Sequence, residues 1–159
     1  MKSLIVFSSQ SGNTKKLAEA VAEELPGIKE LVAVENAPDH FDDADLLAVG
    51  FWLMGGKPDP KSSEFLSKTA GKKLFLFATH GAARDSAHAR AAMEHAMRLA
   101  QGAQVVGTFS CQGAVQSAVM EKAAAKNPPP AWFADAPAAV GHPDGADLAA
   151  LRSAVRACL

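Results

Sequence analysis

The sequence predicts an α/β domain with five parallel strands in one doubly wound sheet and helices on both faces. Three observations lead there. Short apolar runs alternate five times with amphipathic stretches, the rhythm of strands joined by crossover helices. The chain has 159 residues, enough to bury one sizeable core and too few for two ordinary ones, so residues 1–159 are read as a single domain. Right-handed crossovers leave five such strands only a few doubly wound orders, and they put ligand-binding loops at the carboxyl ends of the strands.

Leu4 to Phe7 is the first strand. Leu17, Val21 and Leu25, with Ala18 and Ala22, fall on one face of the helix that follows, and Pro26-Gly27 stops it. Ile28 to Val34 is a weaker strand whose Lys29 and Glu30, with Glu35 just beyond, mark an exposed edge. Leu46 to Val49 is a buried strand ending at Gly50. Ser62 to Lys68 is a short helix with Phe65 and Leu66 inward, and Leu74 to Ala78 is an almost wholly apolar central strand. Asp85 or Ser86 caps a helix running to about Gln101, where Gly102 closes it. Val105 to Phe109 is the fifth strand. From Cys111 to Pro143 the pattern weakens: Ser117 to Lys126 can be helical, but Pro128-Pro129-Pro130 and the Ala-rich run after it cannot form a strand interior. Trp132-Phe133 either packs back on the domain or offers a docking surface. Pro143-Asp144 starts a last helix with Leu148, Leu151 and Val155 at helical spacing.

Hydrophobic residues are 48% and charged ones 21%, which disfavours a disordered or fibrous class. Sixteen Lys and Arg against seventeen Asp and Glu leave a formal charge of -1, so neither nucleic acid nor an anionic membrane is expected as the main partner. The apolar run Leu4 to Phe7 is too short for a signal-peptide core or a membrane span, and a cytoplasmic location is expected. Cys111 and Cys158 form no C-x-x-C, no H-E-x-x-H occurs, and the five His are scattered, so no metal centre is expected. Asp39, Asp42, Asp43 and Asp45 read as a solvated loop or a docking site. There are eight Phe, two Trp and no Tyr.

The chemistry concentrates in the first loop, Ser8-Ser9-Gln10-Ser11-Gly12-Asn13-Thr14, which passes straight into the first helix. An anion there would meet unpaired helix N–H groups and the positive dipole end, with the Ser9, Ser11 and Thr14 hydroxyls around it. Gly12 lets the backbone curl close to the anion. The alternative is a polar capping turn. Neither G-x-x-x-x-G-K-[ST] nor G-x-G-x-x-G occurs. The run S-x-S-G-N-T after the first strand resembles the phosphate loop of the flavodoxin family, and the five-strand rhythm extends the resemblance over the whole chain. It implies the strand order 2-1-3-4-5 and an FMN cofactor whose phosphate is held by Ser9, Gln10, Ser11, Asn13 and Thr14, with Gly12 making room.

Two further loops are implied to flank the flavin ring. Gly50-Phe51-Trp52-Leu53-Met54-Gly55-Gly56-Lys57 follows the third strand; Trp52 is the candidate for packing on the ring, with Phe51 and Met54 behind it, and Gly55-Gly56 could turn a carbonyl toward flavin N5. Thr79-His80-Gly81-Ala82-Ala83-Arg84-Asp85-Ser86 follows the fourth. Family members usually place Tyr there, and this chain has none; His80 or Arg84 is expected to offset the negative charge of reduced flavin instead. Arg84 could equally face solvent. Cys111, at the end of the fifth strand, is read as a small thiol without a redox role. The resemblance implies an electron carrier between redox partner proteins. The alternatives are a flavin-dependent NAD(P)H:quinone or small-acceptor reductase on the same fold, a phosphorylation receiver, which would need acidic residues where Ser8-Ser9 and Gly50-Phe51 stand, and a flavin-free interaction domain.

Overall fold

Continuous apolar runs in the central strands and one apolar stripe along each helix produce a three-layer arrangement in the computed structural model, which describes residues 1–159. The elements in order are β1 (Lys2–Phe7), α1 (Asn13–Glu24), β2 (Ile28–Ala33), β3 (Leu46–Met54), β4 (Lys57–Pro58), α2 (Pro60–Leu66), β5 (Lys73–His80), α3 (Ala87–Leu99), β6 (Gln104–Gln112), α4 (Ser117–Ala124) and α5 (Gly145–Ala157). The parallel strands lie in the order β2-β1-β3-β5-β6. With the two-residue β4 set aside this is the expected order, the expected fourth and fifth strands being β5 and β6.

The sheet separates two cores. Leu4, Val6, Leu47, Val49, Leu74 and Leu76 point to one face, where Phe65 and Leu66 of α2 and Met93 and Ala96 of α3 cover them. Ile5, Ala48, Phe75, Phe77 and Phe109 point to the other, under Leu17 and Val21 of α1 and Leu151 and Val155 of α5. Strict alternation in β5 therefore sends successive side chains to different cores. Both edges of the sheet differ from its centre: β2 is mostly exposed, as its charges require.

Where sequence and structure diverge, local chemistry gives the reason. The third strand does not end at Gly50 but runs to Met54, because Gly55 and Gly56, at φ 59° and 76°, make a tight turn that brings β4 back against its end. α2 begins at Pro60, two residues before the expected start. Asp59 accepts the Ser62 N–H at 3.1 Å, and Pro suits the first helical position. Ser86, not Asp85, caps α3, and Asp144 caps α5 in a reciprocal box with Asp147. The acidic run before β3 is structural at two positions: Asp43 pairs with Lys2, and Asp45 accepts the Lys2 N–H at 2.7 Å. No helix is long and apolar enough to cross a membrane.

Candidate functional site

At the carboxyl ends of β1, β3, β5 and β6 the loops enclose a cleft of about 440 Å³. This is the position a doubly wound sheet reserves for a ligand, and the size lies within the range of small-molecule sites.

One end is the turn into α1. Gly12 sits at φ 91° as the residue before the helix, a conformation that any side chain would strain. Its N–H donates to Ser9 Oγ at 3.1 Å, which closes the turn. Ser9, Gln10, Ser11, Asn13 and Thr14 all line the cleft. Two of them are also tied to neighbouring loops. Asn13 Nδ2 donates to the Ala114 carbonyl at 3.0 Å, and the buried Thr14 hydroxyl meets that of Thr79 at 2.9 Å. The helix itself has no side-chain cap and no acidic residue in its first turn. α4, whose preceding residue Gln116 also lines the cleft, likewise lacks a side-chain cap. α2, α3 and α5, which begin elsewhere, are capped by Asp59, Ser86 and Asp144. The two helices that open on the cleft thus leave first-turn N–H groups and a positive dipole end facing an incoming group.

The second wall comes from β3 and its hairpin. Trp52, half-buried, lines the cleft and donates its Nε1–H to Ser8 Oγ at 3.2 Å, which fixes the indole plane beside the first loop. Leu53, exposed Met54, Gly55 and Gly56 continue this wall. Phe51 does not. Strand alternation turns it to the opposite side from Trp52, where it is fully buried among the residues of the α2/α3 core, so its expected place behind Trp52 at the ligand is corrected to a core anchor.

Thr79, His80 and Gly81 form the third wall. His80 Nδ1 lies 2.9 Å from the Ala82 carbonyl, an acceptor only, so the proton is on Nδ1. Burial pushes the imidazole pKa down to about 4, and the ring is neutral at physiological pH. His80 therefore does not offset negative charge as expected. Arg84 is also corrected: its guanidinium lies over the Phe109 ring, 4.9 Å from the centroid, outside the cleft. Asp85 is likewise off the cleft, and its carbonyl accepts from Arg90 at 2.7 Å.

The fourth wall was not assigned from the sequence. Gly113, Ala114 and Val115 leave β6 and enter the cleft, followed by Val119, Lys126, Pro130 and Trp132. Trp132 packs onto Gly81, where an added Cβ would stand 3.1 Å from the indole and 2.8 Å from Val115. Of the two alternatives for Trp132-Phe133, packing back holds for the indole. The segment is pinned at several points: Ala83 N–H donates to Asp135 Oδ2 at 3.0 Å, and Gln112 Nε2 donates to the Gly81 and Asp135 carbonyls, both at 3.1 Å. Both tryptophans of the chain thus face the cleft. The available signal was compositional, two Trp and no Tyr, but only the fold relates position 132 to position 81.

Electrostatically the cleft is one-sided. None of its lining residues is Asp or Glu, Lys126 is the permanently charged one, and His80 and His88 complete the titratable set. Cys111 is buried, chiefly for which its thiol is pushed up to about 12, so it is a neutral packing group.

Comparison with known proteins places the chain in a family and bears out its fold. The family model described as the flavodoxin domain matches residues 4–156. A curated relative, the flavodoxin-like domain-containing protein BilS of Clostridium symbiosum (strain WAL-14163), is 32% identical over 96% of this chain and 93% of its own. The oxidised flavodoxin 2 of Bacillus cereus superposes with a TM-score of 0.66 at 19% identity, covering 99% of this chain and 97% of that one. A Lactobacillus acidophilus NCFM flavoprotein determined in complex with FMN gives a TM-score of 0.52 at 19% identity over 70% of this chain and 91% of its own. The chain belongs to the flavodoxin family.

Proposed function

We propose that this flavodoxin-family protein binds FMN in the cleft and carries electrons between redox partner proteins. The observation that supports this most is the uncapped start of α1 behind the Ser9–Thr14 turn, opening into a cleft that presents two indoles and no carboxylate. Bound FMN would supply one- and two-electron chemistry, and the protein would set its environment and access.

Each wall has a task in this reading. The Ser9 and Ser11 hydroxyls and the first-turn N–H groups of α1 would donate to the phosphate. Asn13 and Thr14 would act more as positioning groups, since both side chains already hold neighbouring loops. Trp52 and Trp132 would cover the ring system and exclude water from it. Lys126 makes no ion pair with another side chain, so its charge would favour the more negative, reduced form of a bound ligand. The exposed Met54 and Val119 at the cleft leave an apolar rim for contact with a partner.

Mixing the FMN-loaded protein with NAD(P)H and a quinone tests the role. A carrier leaves the nicotinamide unoxidised on its own and passes electrons rapidly once a flavoprotein reductase is added. Sustained NAD(P)H oxidation without an added reductase would instead establish a reductase.

A further inference from the structure

The mouth of the cleft carries cations that the protein itself leaves uncompensated. On one side, Met54 and Lys57 stand opposite each other in the β3–β4 hairpin, so both side chains lie on the same face of that ribbon. Met54 lines the cleft and is 53% exposed, and Lys57 is exposed beside it. On the other side, α4 turns Val119, 39% exposed, to the cleft, and Lys126 just beyond the helix lines it too. Lys122 lies three residues after Val119 and four before Lys126, on the same face. None of these three lysines pairs with a carboxylate.

Nor is a carboxylate placed to answer them. No Asp or Glu lines the cleft, and Asp59, next to the hairpin, is buried and bound to Ser62. Glu121 stands about 200° round the α4 axis from Val119. At the amino ends of the strands the arrangement differs: Lys2 pairs with Asp43, Arg152 with Glu23 and Arg156 with Glu24. The formal charge of -1 thus conceals a local positive excess around two exposed apolar side chains. Apolar contact at the centre with charge at the rim is the make-up of a protein-docking surface, and opposite charge on the partner steers the encounter. Three lysines neutralise too few phosphates to hold a nucleic acid at physiological salt. We infer that the mouth of the cleft docks an acidic redox protein, one that surrounds its own redox centre with carboxylates. Met54 and Val119 supply the apolar contact, and Lys57, Lys122 and Lys126 the steering charge. The inference rests on the carrier reading and adds the partner's charge to it.

Amide chemical shifts of the isotope-labelled, FMN-loaded protein test it, with a plant-type two-iron ferredoxin as the acidic probe and cytochrome c as the basic one. The ferredoxin should move signals of the β3–β4 hairpin and of α4, and raising the salt from about 20 mM to about 200 mM should weaken its binding about tenfold. A variant carrying both Lys57→Glu and Lys122→Glu should bind the ferredoxin about tenfold more weakly and keep its FMN affinity within about twofold, since neither lysine lines the cleft. Tighter binding of cytochrome c by the wild-type protein, or ferredoxin shifts on another face, would overturn the inference while leaving FMN binding intact. An unchanged ferredoxin affinity in the double variant would do the same. Tighter binding of a DNA duplex or of anionic lipid vesicles at this face would also overturn it, since the partner would then not be a protein. A protein that takes up no FMN would overturn the carrier reading and this inference with it. The wild-type comparison of the two probes needs no variant to fold.

Discussion

The two ends of the cleft are built by different means. The α1 end is a run of consecutive residues, Ser8 to Thr14, whose shape follows from one left-handed glycine and one hydroxyl that accepts its N–H. The opposite end is assembled from β3, β5, the exit of β6 and the segment around Trp132, and it closes because side chains from one loop hold the backbone of another. A local motif carries its own geometry; a composite wall depends on the whole fold. The α1 end should therefore decide whether a phosphorylated ligand binds, and the composite end should decide how tightly, and in which redox form, its ring is held.

The largest effect that could break this division is expected from Ser11→Glu. A carboxylate at the start of α1 should weaken FMN binding on the order of a hundredfold while leaving riboflavin, which has no phosphate, within about threefold of wild type. Because an acidic side chain suits a helix N-terminus, the melting temperature should not fall. Trp132→Ala should behave oppositely, weakening FMN and riboflavin alike by about tenfold, as loss of aromatic cover predicts. If Trp132→Ala spared riboflavin, the composite wall would not contact the ring.

A smaller effect is expected from Lys126→Glu. Reversing the permanent charge of the cleft should disfavour the reduced ligand by about threefold, a fall of ~30 mV in a one-electron midpoint, and added salt should diminish the change. The smallest concerns the anchor behind the Trp132 segment. His142 Nδ1 lies 2.6 Å from Asp147 Oδ2, and that hydrogen bond raises the imidazole above its ordinary value. A raised folded-state value stabilises the fold fully below the unfolded value of about 6.5 and ceases to do so as pH rises through the folded one. Thermal melts near about pH 6 and about pH 8 should show the wild-type protein losing more stability on that rise than His142→Ala.

Sequence alone made the sheet legible because its central strands are apolar runs and its charged edge strand β2 still lies between clear helix and strand signals, and the α1 end because its residues are contiguous. The composite wall was less so. Phe51 and Trp52 are adjacent aromatics, and only the register of β3 sends one into the core and the other to the cleft. His80 and Arg84 both read as charges near the ligand, but burial removes the charge of the first and Phe109 holds the second elsewhere. The segment after α4 has no periodicity to read, since hydrogen bonds from Gln112, Ala83 and Ala114 hold it rather than an apolar stripe. Nor does the sequence relate Trp132 to the cleft, since this second indole lies some fifty residues beyond Gly81, against which it packs.

Titration of the apoprotein with FMN, followed by the visible absorption spectrum and flavin fluorescence, tests the central claim most directly. One FMN bound per chain, with its fluorescence quenched beside Trp52 and Trp132, is the predicted result. Unquenched fluorescence and an unshifted spectrum at saturating FMN would contradict it.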